Sequence, residues 1–306
     1  MGKSKSLPEF VTPLRTYADL ANYAQAFADG HLNLLFVFGD PGLGKSRCLR
    51  SAVGDKACWI DGTASPFGIY CQAYENRDKP LVLDDVDGLY RDRNGVRLLK
   101  ALGQTDRIKN VSWQTDAKSL DRQAIPRRYN TSSRIAIIAN QWKSLNADVS
   151  ALEDRGHIVS FEPTSLEVHS QAATWFWDQE IFDLVAANLH LMTRPSLRTY
   201  VLAYERKTAG LDWQTVVLSR CLSGPALEVA KLKSDSTYLT EEDRVRAFVA
   251  SGAGCRATYF NHAKRLRPGE DVPRIKLANT TPPQPAVGPD NLVDLLRQRF
   301  GKLGSG

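Results

Sequence analysis

Gly39-Asp40-Pro41-Gly42-Leu43-Gly44-Lys45-Ser46 fits the pattern GxxxxGK[ST] in full. The apolar run Leu34–Phe38 precedes it, and a helical stretch beginning near Arg47 follows it. That order of strand, glycine loop and helix is the context in which the pattern cradles phosphate. Glycines let successive backbone N–H groups turn inward, and the helix behind them adds its positive end. The residues Gly39, Asp40, Pro41, Gly42, Leu43, Gly44, Lys45 and Ser46 are thus expected to bind ATP. Lys45 would reach the β- and γ-phosphates, and the Ser46 hydroxyl would ligate Mg²⁺.

A second acidic element stands where the loop needs it. Leu81-Val82-Leu83 is a fully apolar strand ending in Asp84-Asp85. Asp84 is the expected metal residue, acting through water, and Asp85 the residue that polarises the attacking water. Three further strands are expected at Cys58–Ile60, Arg134–Asn140 and His157–Phe161, with helices over 16–28, 65–75 and 94–102. Strands alternating with helices predict an α/β fold, a parallel five-stranded sheet with helices on both faces. Beyond Pro163 the strand signal stops. Residues 163–210 read as an all-α lid, and 211–276 as a small helical domain. Residues 277–306 read as a Pro-rich linker and tail.

The bulk numbers agree with a chain of this kind. The 306 residues can bury a sizeable core, and 42% apolar with 24% charged residues is ordinary for a globular protein. No apolar run is long enough to span a membrane, and no membrane partner is expected. Five scattered cysteines, with no CxxC pair or Cys/His ligand spacing, suggest reduced thiols in a cytoplasm and no structural zinc. A net charge of +6 suits a polyanionic partner.

With these residues in place, the sequence resembles the AAA+ family over residues 16–210. The resemblance implies three further site residues. Asn140 stands where the family keeps the polar residue that holds the attacking water. Arg155 stands where it places an arginine finger, reaching the γ-phosphate of a neighbouring subunit. Arg198 stands at the position of the lid arginine, with Arg194 as its rival. ATP would then lie between subunits of a homo-oligomer, either hexamer or filament. Asp84-Asp85 departs from the family's usual Asp-Glu; it looks like the replication-initiator branch, and the shorter Asp85 would make hydrolysis slow.

Two regions speak to the partner. Residues 105–133 are long for a connection and combine six Lys/Arg with Trp113 and Tyr129. Such a mixture suits a nucleic-acid strand or a solvated loop. Further on, Thr240–Ala250, a glycine-containing break and Cys255–Arg267 form a helix-turn-helix pattern. From Arg244 to Arg267 there are six Lys/Arg and no Asp/Glu. Arg256, Lys264, Arg265 and Arg267 would meet DNA phosphates, while Thr258, Tyr259, Asn261 and His262 would face bases. The alternative is a helical hairpin with Tyr259 and Phe260 in its core. Residues 291–300 could dock on a protein partner as a short helix or pack back on their own domain, or the terminus 301–306 could simply fray. The reading favoured by these features is an ATPase acting on DNA in replication initiation, helicase loading or transposition control. A protein remodeller or sensor-type switch, and a replicative helicase of the viral superfamily-3 type, are the alternatives.

Overall fold

The structure is a computed structural model that describes residues 10–86, 89, 92–114, 119–141, 154–192, 194–266 and 275–279. The chain divides into two compact units, one running to Glu162 and the other beginning at Pro163. The first unit runs β1 (Val11–Leu14), α1 (Tyr17–Ala28), β2 (Leu34–Phe38), α2 (Lys45–Val53) and β3 (Cys58–Asp61). It continues with α3 (Pro66–Glu75), β4 (Leu81–Asp84), α4 (Arg93–Leu102), β5 (Lys109–Ser112) and α5 (Ser119–Arg122). It closes with β6 (Arg128–Thr131), β7 (Ile135–Ala139) and β8 (His157–Phe161).

Six of these strands form one parallel sheet in the order β1-β8-β2-β7-β4-β3. β2 and β7 are buried at every position, because helices cover both faces and leave no side for polar residues. The expected parallel α/β sheet is therefore present, with six strands rather than five. The extra one, β1, pairs with β8 at the edge. Its four residues include Pro13, which lacks a ladder donor and is tolerated on an edge strand. β2 lies inside the sheet between β8 and β7. Its carboxyl end, like those of β4 and β7, opens at the rim where parallel sheets hold ligands.

The stretch 105–133 contains an antiparallel hairpin, β5 against β6. Lys109, Val111, Tyr129 and Thr131 point inward and are buried, while Asn110, Ser112, Arg128 and Asn130 are exposed. The Tyr129 ring packs 5.2 Å from both Tyr70 and Tyr74 of α3, and Trp113 lies 5.7 Å from Tyr70. Tyr129 is therefore core and offers no stacking platform to a nucleic-acid strand, while Trp113 is half-buried against that core. Lys109 is fully buried, and its ammonium donates to the Ser133 carbonyl. Burial pushes its pKa down to about 8.

Among its described residues the second unit has helices and no strand. It comprises α6 (Ser165–Ala173), α7 (Gln179–Asn188), α8 (Arg198–Thr208), α9 (Gln214–Cys221), α10 (Gly224–Ser234), α11 (Glu241–Ala250) and α12 (Arg256–Arg265). Thr164 caps α6 by accepting from the Glu167 N–H. Trp175, Phe176, Phe182 and Tyr200 form an aromatic core around His169. The His169 ring stacks 3.9 Å from Phe182, and its Nδ1 lies 2.8 Å from the Tyr200 hydroxyl. Burial lowers its pKa to about 4 from 6.5. The folded state thus refuses a proton that the unfolded chain accepts. The contribution of neutral His169 to stability is complete above pH 6.5 and is lost as pH falls toward 4. Thermal melts across that window should show Tm falling with acid, and His169→Phe should flatten the slope.

Candidate nucleotide site

The loop leaving β2 is shaped by close approach. A Cβ on Gly39 would lie 2.3 Å from the Phe161 carbonyl oxygen on neighbouring β8, so no side chain fits there. Gly44, at the entry to α2, adopts φ +77, a left-handed geometry that strains other residues. Lys45 follows as the first residue of α2 and is only 5% exposed. Its ammonium donates to the carbonyls of Gly39 at 2.7 Å and Asp40 at 2.9 Å, and to Asn140 Oδ1 at 3.3 Å.

The acids come from the end of β4. Successive residues of a strand point to opposite faces, so Asp84 and Asp85 could not share one site in regular β geometry. Asp85 leaves the strand with φ +53, and its N–H donates to the Ile138 carbonyl at 3.1 Å. Its carboxylate then accepts from Asn140 Nδ2 at 2.7 Å. Asn140, one residue beyond β7, thereby bridges Lys45 and Asp85 through the two ends of one amide. A left-handed non-glycine residue costs on the order of 1–3 kcal/mol, which makes Asp85 a strained position among functional groups.

Asp84 faces the start of α2, where the Ser46 hydroxyl hydrogen-bonds its carboxylate. Burial is the largest influence on this group and raises its pKa. The Ser46 bond works against that, as do Arg50 and Lys45, while Asp85 adds to it. A hydroxyl and a carboxylate side by side suit Mg²⁺, a hard ion that takes one or two protein oxygens and completes its shell with phosphate and water. Among the described residues no group of three His, Cys, Asp or Glu forms a protein cage for a metal.

The raised pKa has a stability consequence. The folded state holds the Asp84 proton more tightly than the unfolded chain, so ionised Asp84 costs stability at neutral pH. That cost fades as pH falls through the raised value. Asp84→Asn should therefore raise Tm at pH 7 by roughly 2 °C, and a melting curve checks it.

The remaining expected residues are placed differently. Arg155 Nη1 donates to the Lys100 carbonyl at 2.9 Å, so the guanidinium caps the last turn of α4 in its own chain. Arg198 opens α8 in the second unit with an exposed side chain, and Arg194 is also exposed. Tyr17 escaped sequence reading. Its hydroxyl donates to the Leu43 carbonyl inside the glycine loop at 2.9 Å, and its ring meets Phe161 edge-on at 5.1 Å. Nothing local in the sequence signals this contact, which joins residues 26 positions apart.

At the end of the second unit, α10, α11 and α12 share a core of Val229, Leu232, Val245, Phe248, Tyr259 and Ala263. Tyr259 is fully buried and donates to Glu241 Oε1 at 3.1 Å. It therefore cannot face DNA bases; the phase of α12 turns it inward with Ala263, four residues on. Thr258 is half-buried, with its hydroxyl 3.3 Å from Cys255 Sγ. Arg256 is ion-paired with Glu242 at 2.7 Å. His262 is half-buried, while Asn261, Lys264 and Arg265 are exposed. Arg267 and the tail 291–300 lie outside the described residues.

No protein-family profile matches this sequence. An uncharacterised 36.7 kDa protein from the nrdC–mobD intergenic region of Enterobacteria phage T4 is 29% identical over 153 residues. The match takes in 47% of this chain and 43% of that protein, so it spans less than half the relative's length. Among solved structures, a RuvB mutant from Thermotoga maritima is similar with TM-score 0.42 and 14% identity, over 81% of this chain and 86% of that one. NtrX from Brucella abortus in complex with ATP gives TM-score 0.42 and 11% identity, over 87% and 69%. The AAA domain of FIGL-1 in complex with ADP gives 0.36 and 12%, over 85% and 87%.

Proposed function

We propose that this chain is an AAA+-type ATPase that acts on DNA. The observation that carries the reading is the convergence of Lys45, Ser46, Asp84, Asp85 and Asn140 at the carboxyl ends of β2, β4 and β7. Phosphoryl transfer needs positioning and charge more than covalent chemistry from the protein. Lys45 would exchange its loop carbonyls for phosphate oxygens. Ser46 and Asp84 would hold Mg²⁺, which supplies charge neutralisation on the phosphates. Asp85 would accept the proton of the attacking water, with Asn140 fixing its carboxylate.

Asn140→Ala should then lower turnover by about a hundredfold and change ADP affinity little, because it removes the group that orients Asp85 but leaves Lys45 its two shorter bonds to the loop carbonyls of Gly39 and Asp40. Equal losses in binding and turnover would place Asn140 in ground-state binding instead.

The oligomeric part of the reading assigns Arg155 to a neighbour's γ-phosphate and Arg198 to closure over the nucleotide. The Lys100 bond would have to break for Arg155 to serve so. DNA contact is assigned to the exposed face of α12. With Tyr259 buried and Arg256 paired, Lys264 and Arg265 would supply phosphate contacts, and Asn261 stands as the exposed base-reading side chain. Backbone contacts then outweigh base contacts, so modest sequence preference is expected. ATPase rate and oligomeric state should be measured with and without duplex DNA. If DNA changes neither, the DNA assignment fails and a polypeptide partner becomes the better reading.

A further inference from the structure

We propose that Tyr17 is a positioning residue that sets the direction of the Gly44 N–H in the phosphate loop. The inference rests on the nucleotide reading of that loop and adds to it a residue outside the motif. The Tyr17 hydroxyl donates to the Leu43 carbonyl at 2.9 Å. The peptide joining Leu43 to Gly44 is trans, as all described peptides are. In a trans peptide the C=O and N–H point in opposite directions. Holding the Leu43 carbonyl toward α1 therefore turns the Gly44 N–H away from α1, toward the concave side that phosphate oxygens would occupy.

The clamp matters because this peptide is intrinsically free to turn over. A flip of this peptide changes φ of Gly44, which is +77, and glycine populates both signs of φ readily. A flipped peptide would present a carbonyl oxygen to the phosphates in place of a donor, which replaces attraction by repulsion. Two features make Tyr17 a fixed post rather than a passing contact. Thr16 caps α1 directly before it, accepting from the Asp19 N–H at 3.0 Å. The Tyr17 ring is held edge-on against Phe161, whose carbonyl closes the other end of the loop over Gly39. One aromatic pair thus braces the loop at both Gly39 and Leu43.

The test is Tyr17→Phe, which keeps the ring and removes only the hydroxyl. In protein labelled with ¹⁵N-glycine, the Gly44 amide proton of the wild type should move downfield on adding ADP. In Tyr17→Phe that movement should be much reduced. Calorimetry should show ADP and inorganic pyrophosphate binding weakened about fivefold, with adenosine binding unchanged. A role confined to stability would shift the melting curve without the selective loss for phosphate-bearing ligands. The inference is overturned if Tyr17→Phe binds ADP within twofold of the wild type, or shows the wild-type Gly44 response. Lys45→Ala is measured alongside. If that variant still binds ADP, the phosphate-site reading itself fails, which is a different result from failure at Tyr17.

Discussion

Lys45→Ala should abolish measurable nucleotide binding, with affinity for ATP reduced at least about a hundredfold. Lys45 is only 5% exposed and its ammonium is already held by loop carbonyls, so little further burial cost attends its charge meeting phosphate. Its acceptors include the adjacent carbonyls of Gly39 and Asp40 at the loop's start and the side chain of Asn140 beyond β7. Alanine removes the charge, the link between the loop and the acids, and the partner of two loop carbonyls. Charge-assisted hydrogen bonds contribute about 1.5–3 kcal/mol each, and losing two is enough for the stated change. Lys45→Arg should not restore binding, because a planar fork cannot place one nitrogen among three acceptors. Titration calorimetry with ATP, supported by circular dichroism to show retained fold, decides the matter. Tight ATP binding by Lys45→Ala would remove the basis of the proposed function.

The second large effect is expected at the far end of the chain. Lys264→Glu combined with Arg265→Glu should weaken duplex DNA binding about a hundredfold at low salt. It should also reduce the salt dependence of binding, by roughly two in the slope of log affinity against log salt. Both side chains are exposed, and the α12 positions that hold the bundle together, Tyr259 and Ala263, are left intact. Folding should therefore survive, which a truncation near residue 235 would not guarantee. Val229 and Leu232 of α10 pack in the same core as Val245, Phe248 and Tyr259, so removing α11 and α12 would strip that face. Fluorescence anisotropy at two salt concentrations gives the answer. Unchanged affinity and slope in the double variant would withdraw α12 from DNA contact.

The loop at Gly39–Ser46 was legible because its geometry is local: particular residue types at fixed spacing, a strand before and a helix after. The apolar runs of β2, β4 and β7 were legible for a related reason. Strands covered on both faces carry continuous hydrophobic sequence, and their acidic or amide ends mark the rim. The edge strand β1 escaped because four residues with a proline carry little pattern. The β5–β6 hairpin escaped because Lys109 reads as solvent-facing, and only its partners reveal that it is buried. The hairpin in turn took Tyr129 out of the case for nucleic acid at 105–133.

Four further points depended on residues distant in sequence. Asp85 reaches Asn140 only because the chain turns left-handed at φ +53, anchored by the Ile138 carbonyl across the sheet. Arg155 is tied to Lys100, 55 positions away, and that bond competes with any task in a neighbouring subunit. Tyr17 meets Leu43 because α1 lies against α2 and β8. Tyr259 faces inward because α10 and α11 converge on one side of α12 and leave the other side to Lys264 and Arg265. Residue type and spacing decide where a phosphate loop can form, since those rules act over a few bonds. Which carboxylate, arginine or tyrosine serves it is decided by packing, since a side chain's direction depends on neighbours that only the folded chain brings near.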